Sequence, residues 1–170
     1  SDERQAHTRR RAAVLAAVSA TPAFAANSDT KSGTASATVV EPIVLTHTPA
    51  AELNFGKFSA GAGSVFVDAT TGAGTASGGV TLMSDSVESA DDFTLTGDAG
   101  RGFDIVTTGT ALLPISLGTG LSFVTAPSAA TGTLSGTGTA GFTVGGTLTV
   151  TAAALAGIYS TTYDATVTYN

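Results

Sequence analysis

Residues 159–170 alternate between apolar and polar side chains. They read YSTTYDATVTYN, in which the aromatic and aliphatic residues share one side and most of the hydroxyl and acidic residues share the other. A period of two residues is typical of a β-strand with one buried face. The sequence therefore predicts a half-buried strand over residues 159–170, with a core face formed by Tyr159, Tyr163, Ala165, Val167 and Tyr169.

The segment GFTVGGTLTVTA, residues 141–152, alternates in the same way. Its apolar face includes Phe142, Val144 and Val150, and threonines dominate the other face. The pair Gly145–Gly146 interrupts the pattern, and we expect a bulge or a close approach of another backbone there. The two amphipathic segments can pair as a hairpin-like unit or lie in opposite sheets.

Short strand-like segments recur along the rest of the chain, between turns rich in Gly, Ser and Thr. In order they are SATVVEPIVLT, AELNFGKF, SVFVDA, GVTLMS, DFTLTG, GFDIVTT, ALLPISL and LSFVTA. Proline cannot donate to a strand ladder, so Pro42 makes the first segment an edge strand or two separate segments. Beyond residue 26 no segment has a helical period, and the spacing predicts an all-β sandwich or barrel.

The first 25 residues have a different character. Arg9–Arg11 precede an apolar run over residues 12–20, and Ala23 and Ala25 occupy the small-residue positions of an A-x-A cleavage site. This order of regions predicts a secretory signal peptide over residues 1–25 and therefore an exported protein. The alternative is an amphipathic N-terminal helix. The apolar run is too short to span a bilayer, so we expect no membrane insertion.

The charges narrow the class of partner. Beyond residue 25 the chain has three basic and eleven acidic residues, a balance that repels phosphate backbones and anionic lipid, so nucleic acid is not expected. No charged residue occurs between Asp104 and Asp164. Uncharged strand edges recruit other chains unless they are closed or guarded. Either these edges close on themselves, or recruiting another chain is the function.

Catalytic groups are scarce in the sequence. Beyond residue 25 the chain has one histidine, His47, and no cysteine. His47 lies in the loop-like stretch LTHTPA, where a lone histidine is usually a solvated side chain. No nucleophile elbow, Walker A loop or dinucleotide fingerprint is present. We therefore expect no enzyme and no cofactor; a periplasmic enzyme that uses His47 is a weaker alternative, since it lacks a second catalytic partner.

One acidic cluster has the ligand chemistry of a calcium site. The stretch SDSVESADD places four carboxylates within eight positions: Asp85, Glu88, Asp91 and Asp92. Ca²⁺ prefers such hard oxygen ligands, but the spacing is not that of an EF-hand and the glycine of the sharp turn is absent. The alternative is a polar surface loop, and the interpretation favoured here assigns no metal.

Two stretches carry a family resemblance. Residues 37–58, ATVVEPIVLTHTPAAELNFGKF, and residues 141–170 resemble a family of small exported bacterial proteins, domain-of-unknown-function family number four-four-zero-two. They look like distant relatives of pilin subunits assembled by chaperones and ushers, of the archaic and spore-coat-protein-U-like type. The matching residues are Leu53, Phe55 and Gly56 near the start, and Gly157, Tyr159, Thr166, Thr168 and Tyr169 near the end. Many such pilins carry a disulfide, which this chain cannot form.

The resemblance implies an immunoglobulin-like, pilin-like β-sandwich that lacks its seventh strand. The domain covers residues 41–170. Its last strand then borders an open acceptor groove formed by Tyr159, Tyr163, Ala165, Val167 and Tyr169. A neighbouring subunit fills such a groove with an N-terminal extension, in a form of β-augmentation. The implied function is a non-enzymatic subunit of a filament at the bacterial cell surface. Its implied partners are copies of itself, a periplasmic chaperone and an outer-membrane usher.

Residues 26–40 are the candidate donor strand. They are rich in Ser, Thr and Ala, carry no charge after Lys31, and place Ala35, Ala37 and Val39 in alternation. The candidate donor residues are Thr34, Ala35, Ala37 and Val39. The alternatives are that this segment is the first strand of its own domain or a flexible tail. A rival function is a monomeric exported sandwich that binds a glycan or a surface protein, with a calcium loop at Asp85–Asp92.

Overall fold

The computed structural model describes residues 27–108, 110–112 and 120–170, with the backbone alone for residues 110–112. Over these ranges every regular element is a β-strand, so the all-β prediction is confirmed. The strands are β1 (Val44–His47), β2 (Phe58–Ser59), β3 (Gly63–Val67), β4 (Gly74–Gly78), β5 (Thr81–Leu82), β6 (Asp91–Thr96), β7 (Gly102–Thr107), β8 (Thr110–Leu112), β9 (Leu121–Pro127), β10 (Thr131–Thr133), β11 (Thr139–Val150) and β12 (Ala165–Tyr169).

The strands form two larger sheets and one short pair, and all their pairings are antiparallel. The first sheet has the order β1-β6-β11-β3-β4. Outside this order, β9 also pairs with β11, and β8 pairs with β9. The second sheet has the order β10-β7-β12, and β2 pairs with β5. Strands β11 and β12 therefore lie in different sheets, which is one of the two arrangements that their patterns allowed.

Side chains from both larger sheets meet in one apolar cluster. It contains Phe93 and Leu95 of β6, Phe142 of β11, and Phe103 and Ile105 of β7. A second cluster is formed by β3, β9 and β11 together with Val80; its members are Val65, Val80, Leu121, Phe123, Leu148 and Val150. The long strand β11 contributes to both clusters, as expected of a strand whose apolar side chains all face the same layer.

The glycine pair in β11 is a place where backbones approach closely, as its sequence predicts. A Cβ atom at Gly145 would lie 2.3 Å from the carbonyl oxygen of Val67, and one at Gly146 would lie 2.4 Å from that of Val124. Real Cβ atoms do not approach backbone this closely. A side chain at either position would therefore push β3 or β9 away from β11.

Several predicted strand bounds are wrong, and in each case the partner strand decides the outcome. Residues 159–164 precede β12 and form no ladder; the pairing with β7 ends at Ala165 opposite Thr107, and beyond it Thr108 N–H donates to the carbonyl oxygen of Asp164. In the first segment only Val44–His47 is a strand, which begins after Pro42. Strands β4 and β10 lie in Gly/Ser/Thr-rich stretches that read as turns. They are strands because β3 and β7 provide edges for them.

Two predicted elements lie wholly or partly outside the described residues. The signal peptide over residues 1–25 is one of them. The segment ALLPISL is the other, since β8 covers its beginning and residues 113–119 are not described.

Candidate functional site

Two strands of different sheets each have an unpaired side. Strand β12 pairs with β7 from Ala165 opposite Thr107 to Tyr169 opposite Phe103, and with no other described strand. Strand β1 pairs with β6 alone within the same described ranges. Each of these edges presents a row of backbone N–H and C=O groups with which no strand of the described ranges pairs.

Hydrogen bonds link the two edges at both ends. At one end the Tyr169 hydroxyl donates to the carbonyl oxygen of Glu41, over 2.8 Å, and accepts from the N–H of Asp98, over 2.7 Å. At the other end the carboxylate of Asp91 bonds to both His47 and Tyr163. Because Glu41 lies beside Tyr169 and His47 is linked to Tyr163, β1 and β12 run in opposite directions. We call the strip of surface between these two strands the seam.

The side chains along this seam are apolar and only partly covered. Ile43 and Leu45 on the β1 side, and Ala165, Val167 and Tyr169 on the β12 side, pack half-buried against the first apolar cluster. The intervening Thr166 and Thr168 are exposed, so the alternation read from the sequence is confirmed. The guanidinium carbon of Arg101 lies 4.9 Å from the Tyr169 ring centroid, which places a cation at that end of the seam.

Asp91, the first residue of β6, is the central polar residue at the end of the seam where His47 and Tyr163 lie. It is 5% exposed. Its Oδ1 atom lies 2.6 Å from His47 Nε2, and its Oδ2 atom accepts a hydrogen bond of 2.7 Å from the Tyr163 hydroxyl. A buried carboxylate is costly unless it is bonded in this way. Asp91 therefore holds together β6, the end of β1 and the segment that leads into β12.

The structure revises two sequence interpretations at this point. Asp91 is a buried hydrogen-bond acceptor, not a member of a surface loop or ligand set. His47 is the last residue of β1, not part of a loop, and its ring packs 5.0 Å from the Phe93 ring. His47 and Asp91 are 44 positions apart in the sequence, and Asp91 and Tyr163 are 72 positions apart. No local pattern connects residues at such separations, so only the fold brings them together.

Tyr163 joins the two apolar clusters. Its ring contacts Phe93 of the first cluster and Phe123 of the second, with both ring centroids 6.4 Å away and both pairs edge-on. Burial of the phenol raises the pKa of Tyr163, and the hydrogen bond from its hydroxyl to the negative Asp91 raises the pKa further. The neutral hydroxyl is thus kept as a donor to Asp91.

We expect Tyr163 to remain un-ionised at pH values where a free tyrosine loses its proton, about 10. Its raised folded-state pKa stabilises the fold fully below that pH, and the contribution is lost as the pH rises, because the unfolded chain ionises first. Unfolding free energy should fall more steeply above pH about 10 in the wild type than in Tyr163→Phe. Chemical denaturation at stepped pH measures this, and equal slopes would contradict it.

A wider cleft continues the seam beyond Tyr163. It has a volume of about 1050 Å³, and its lining includes Phe55, Phe58, Phe123 and Tyr159 as well as Tyr163. None of these aromatic residues belongs to β12. Phe55 and Tyr159 are half-buried and pack against the second cluster. The described surface thus has a narrow section beside β12 and a wide section beside residues 154–163.

The acidic cluster is dispersed among separate partners. Lys57 Nζ lies 2.8 Å from Asp85, the Ser86 hydroxyl bonds to Glu88, and the Thr48 hydroxyl donates to Asp92 over 2.6 Å. Within the described ranges no group of three or more His, Cys, Asp or Glu side chains is arranged to hold a metal ion. The same described ranges contain no helix that is long and apolar enough to cross a membrane.

The candidate donor residues lie in an exposed segment without strand structure. Residues 27–40 form no ladder, and Thr34, Ala35, Ala37 and Val39 are all exposed. Val39 is 95% exposed, which is unusual for an aliphatic side chain. An aliphatic residue left in water gains free energy if another surface covers it.

The family comparison covers most of the chain. The model of a family described as a domain of unknown function, DUF4402, matches residues 45–169. No curated protein and no solved structure matches the chain. The matched range includes both edges of the seam, from Leu45 of β1 to Tyr169 of β12.

Proposed function

The chain belongs to the DUF4402 family, and we propose that this member is a structural subunit of an extracellular filament. In this proposal the domain is an incomplete immunoglobulin-like, pilin-like sandwich. Residues 26–40 of one copy enter the seam of the next copy as an added strand. The function is assembly and not catalysis, and no cofactor takes part.

The observation that carries the proposal is the apolar seam between the free edges of β1 and β12. The backbone N–H and C=O groups along an open strand edge can form a ladder with an added strand. Half-buried side chains such as Leu45 and Val167 also leave apolar area in water. A strand placed in the seam would pair the free edge of β12 and cover these side chains, which is the energetic basis of β-augmentation.

The exposed segment around Ala35 and Ala37 has the chemistry such a site requires. Its side chains are small and uncharged, so backbone pairing supplies most of the affinity and the side chains need only shallow pockets. One surface donates a strand and a different surface accepts it, which makes the contact heterologous. A heterologous contact that does not close into a ring builds a linear polymer.

The remaining parts of the proposal concern export. Residues 1–25 would act as a signal peptide that is removed before assembly. A periplasmic chaperone and an outer-membrane usher would then hold the seam until the next subunit arrives, and the filament would stand at the cell surface. Support for this part comes from the order of basic, apolar and small residues in the N-terminal sequence.

A second candidate function rests on the wide cleft. A cleft of about 1050 Å³ with Phe55, Phe58 and Tyr159 in its lining is large enough for a small ligand or a glycan unit. In this alternative the protein is a monomeric exported binding module. It would need no inserted strand, and residues 26–40 would be a tail.

Purified chain without residues 1–25 is expected to form linear polymers. Size-exclusion chromatography should show a broad high-mass distribution, and electron micrographs should show unbranched filaments. A folded protein that elutes only as a monomer at high concentration would contradict the filament proposal and favour the binding module. Adding denaturant and then removing it tests whether the same polymers form again.

A further inference from the structure

We propose that Tyr169 is a positioning residue for assembly: its hydroxyl group fixes residues 41–43 as a rigid joint between the donated segment and the domain of the same copy. This inference rests on the proposed filament function, in which residues 26–40 enter the seam of the next copy. The joint belongs to the copy that donates, so it is the same for either direction of the inserted strand. Its consequence is a stiff filament.

Within the described ranges, a single hydrogen bond joins residues 27–43 to the rest of the chain. The Tyr169 hydroxyl donates this bond to the carbonyl oxygen of Glu41, over 2.8 Å. The backbone of residues 27–43 makes no other bond to the described domain, and the ladder of β1 begins only at Val44. Tyr169 therefore determines where the donated segment is attached.

The hydroxyl group of Tyr169 is itself held in place. It accepts a hydrogen bond of 2.7 Å from the N–H of Asp98. A side chain at Gly97 would collide with its oxygen atom, so the hydroxyl fills the space that this glycine leaves. The guanidinium carbon of Arg101 lies 4.9 Å from the ring centroid. A fixed hydroxyl group in turn gives Glu41 a fixed position.

The residues that follow Glu41 leave no loose connection to β1. The ring of Pro42 fixes its own φ angle at about −65°, and a residue that precedes a proline is restricted to extended conformations. Ile43 is half-buried and packs against the first apolar cluster. Val44 then pairs with Thr96 of β6. From Glu41 to β1, each residue is thus restrained by a hydrogen bond, by a ring or by packing.

A restrained joint determines how consecutive copies are arranged. In the proposed filament Val40 is the last donated residue, and Glu41 is already bonded to Tyr169 of the donating copy. No flexible linker then separates a subunit from its neighbour, and the orientation of each copy is transmitted to the next. A flexible linker would let the subunits swivel, because unrestrained chains do not transmit orientation. We therefore expect filaments that are straight over many subunits.

Tyr169→Phe tests the hydroxyl group. The variant keeps the ring beside Arg101 and loses the hydrogen bond to Glu41. Filaments of the chain without residues 1–25 should then bend more easily, with a persistence length in electron micrographs at least about threefold shorter than that of the wild type. Filaments of Tyr169→Phe that are as stiff as those of the wild type would overturn the proposal.

Tyr163→Phe is the matched control. It also removes a tyrosine hydroxyl, but one that bonds to Asp91 and not to residues 41–43. Its filaments should be as stiff as those of the wild type. Since both variants lose a hydrogen bond of the folded domain, this comparison separates the stiffness of the joint from the stability of the fold. Equal softening of both variants would overturn the role of Tyr169.

An insertion tests the joint without changing Tyr169. Gly-Ser-Gly-Ser between Val40 and Glu41 adds a flexible linker. Its filaments should be as flexible as those of Tyr169→Phe, and this result decides the case in which Tyr169→Phe does not assemble. The same insertion before Asn27 should leave the stiffness unchanged. Wild-type filaments no stiffer than those with the inserted linker would overturn the joint but not the filament function. Wild-type chain that stays monomeric overturns both.

Discussion

A chain that lacks residues 26–40 is expected to stay folded and to form no polymer. Both apolar clusters are built from residues beyond this segment, and the deletion removes no buried side chain from the part of it that the structure describes, residues 27–40. It does remove the exposed Ala35, Ala37 and Val39, the side chains assigned to the seam of the next copy. Analytical ultracentrifugation should show a single monomeric species, where the full mature chain shows a distribution of masses.

A synthetic peptide of residues 27–40 provides the matched control. Added to the shortened chain, it should bind the free seam and raise the unfolding temperature, because a ligand that binds only the folded state stabilises it. A peptide with the same composition in scrambled order should have a much smaller effect. Filaments that persist after the deletion would show that another surface joins the subunits.

Replacing Val167 with aspartate is expected to block assembly from the acceptor side. Val167 is half-buried in the middle of β12 and packs against the first apolar cluster. An inserted strand would enclose the new carboxylate without a partner, and an uncompensated buried charge costs about 3–5 kcal/mol. Since each 1.4 kcal/mol is a factor of ten, the association constant should fall by at least about a hundredfold.

Thr166→Asp is the control for this variant. Thr166 is adjacent in sequence but lies on the exposed face of β12, so the charge stays in water when a strand enters the seam. Mixing each variant with wild-type chain distinguishes a defect in the acceptor seam from a defect in the donated segment. Val167→Asp should still donate its N-terminal segment and end growing polymers, whereas Thr166→Asp should extend them. If Val167→Asp assembles as the wild type does, the seam is not part of the assembly interface.

Much of the fold could be predicted because β-strands have a local signature. The alternation in residues 141–150 is matched by β11, and at its two glycines the backbones of β3 and β9 approach closely. The side of β12 that carries Ala165 and Val167 was also predictable, since a period of two assigns faces without reference to any partner. Short, polar β4 carries no such pattern, and its prediction failed for that reason.

The candidate site was predictable only in part. Tyr163 and Val167 belong to the face that the alternation assigns to the core. The wide cleft was not predicted, because Phe55 and Tyr159 come from distant segments and only the fold places them in one lining. His47 and Asp91 were given separate interpretations, one as a solvated side chain and one within an acidic cluster, and the fold makes them hydrogen-bond partners.

The sequence by itself determined the all-β class, the faces of the amphipathic strands and the small, uncharged character of the segment around Ala35 and Ala37. These properties depend on neighbours within a few positions of the same chain. Tertiary structure alone decided that β12 begins at Ala165, that no described strand pairs with its outer edge, and that Asp91 joins the two sides of the seam. The reason is physical: a hydrogen-bond ladder extends only as far as its partner strand, and the partner lies elsewhere in the chain.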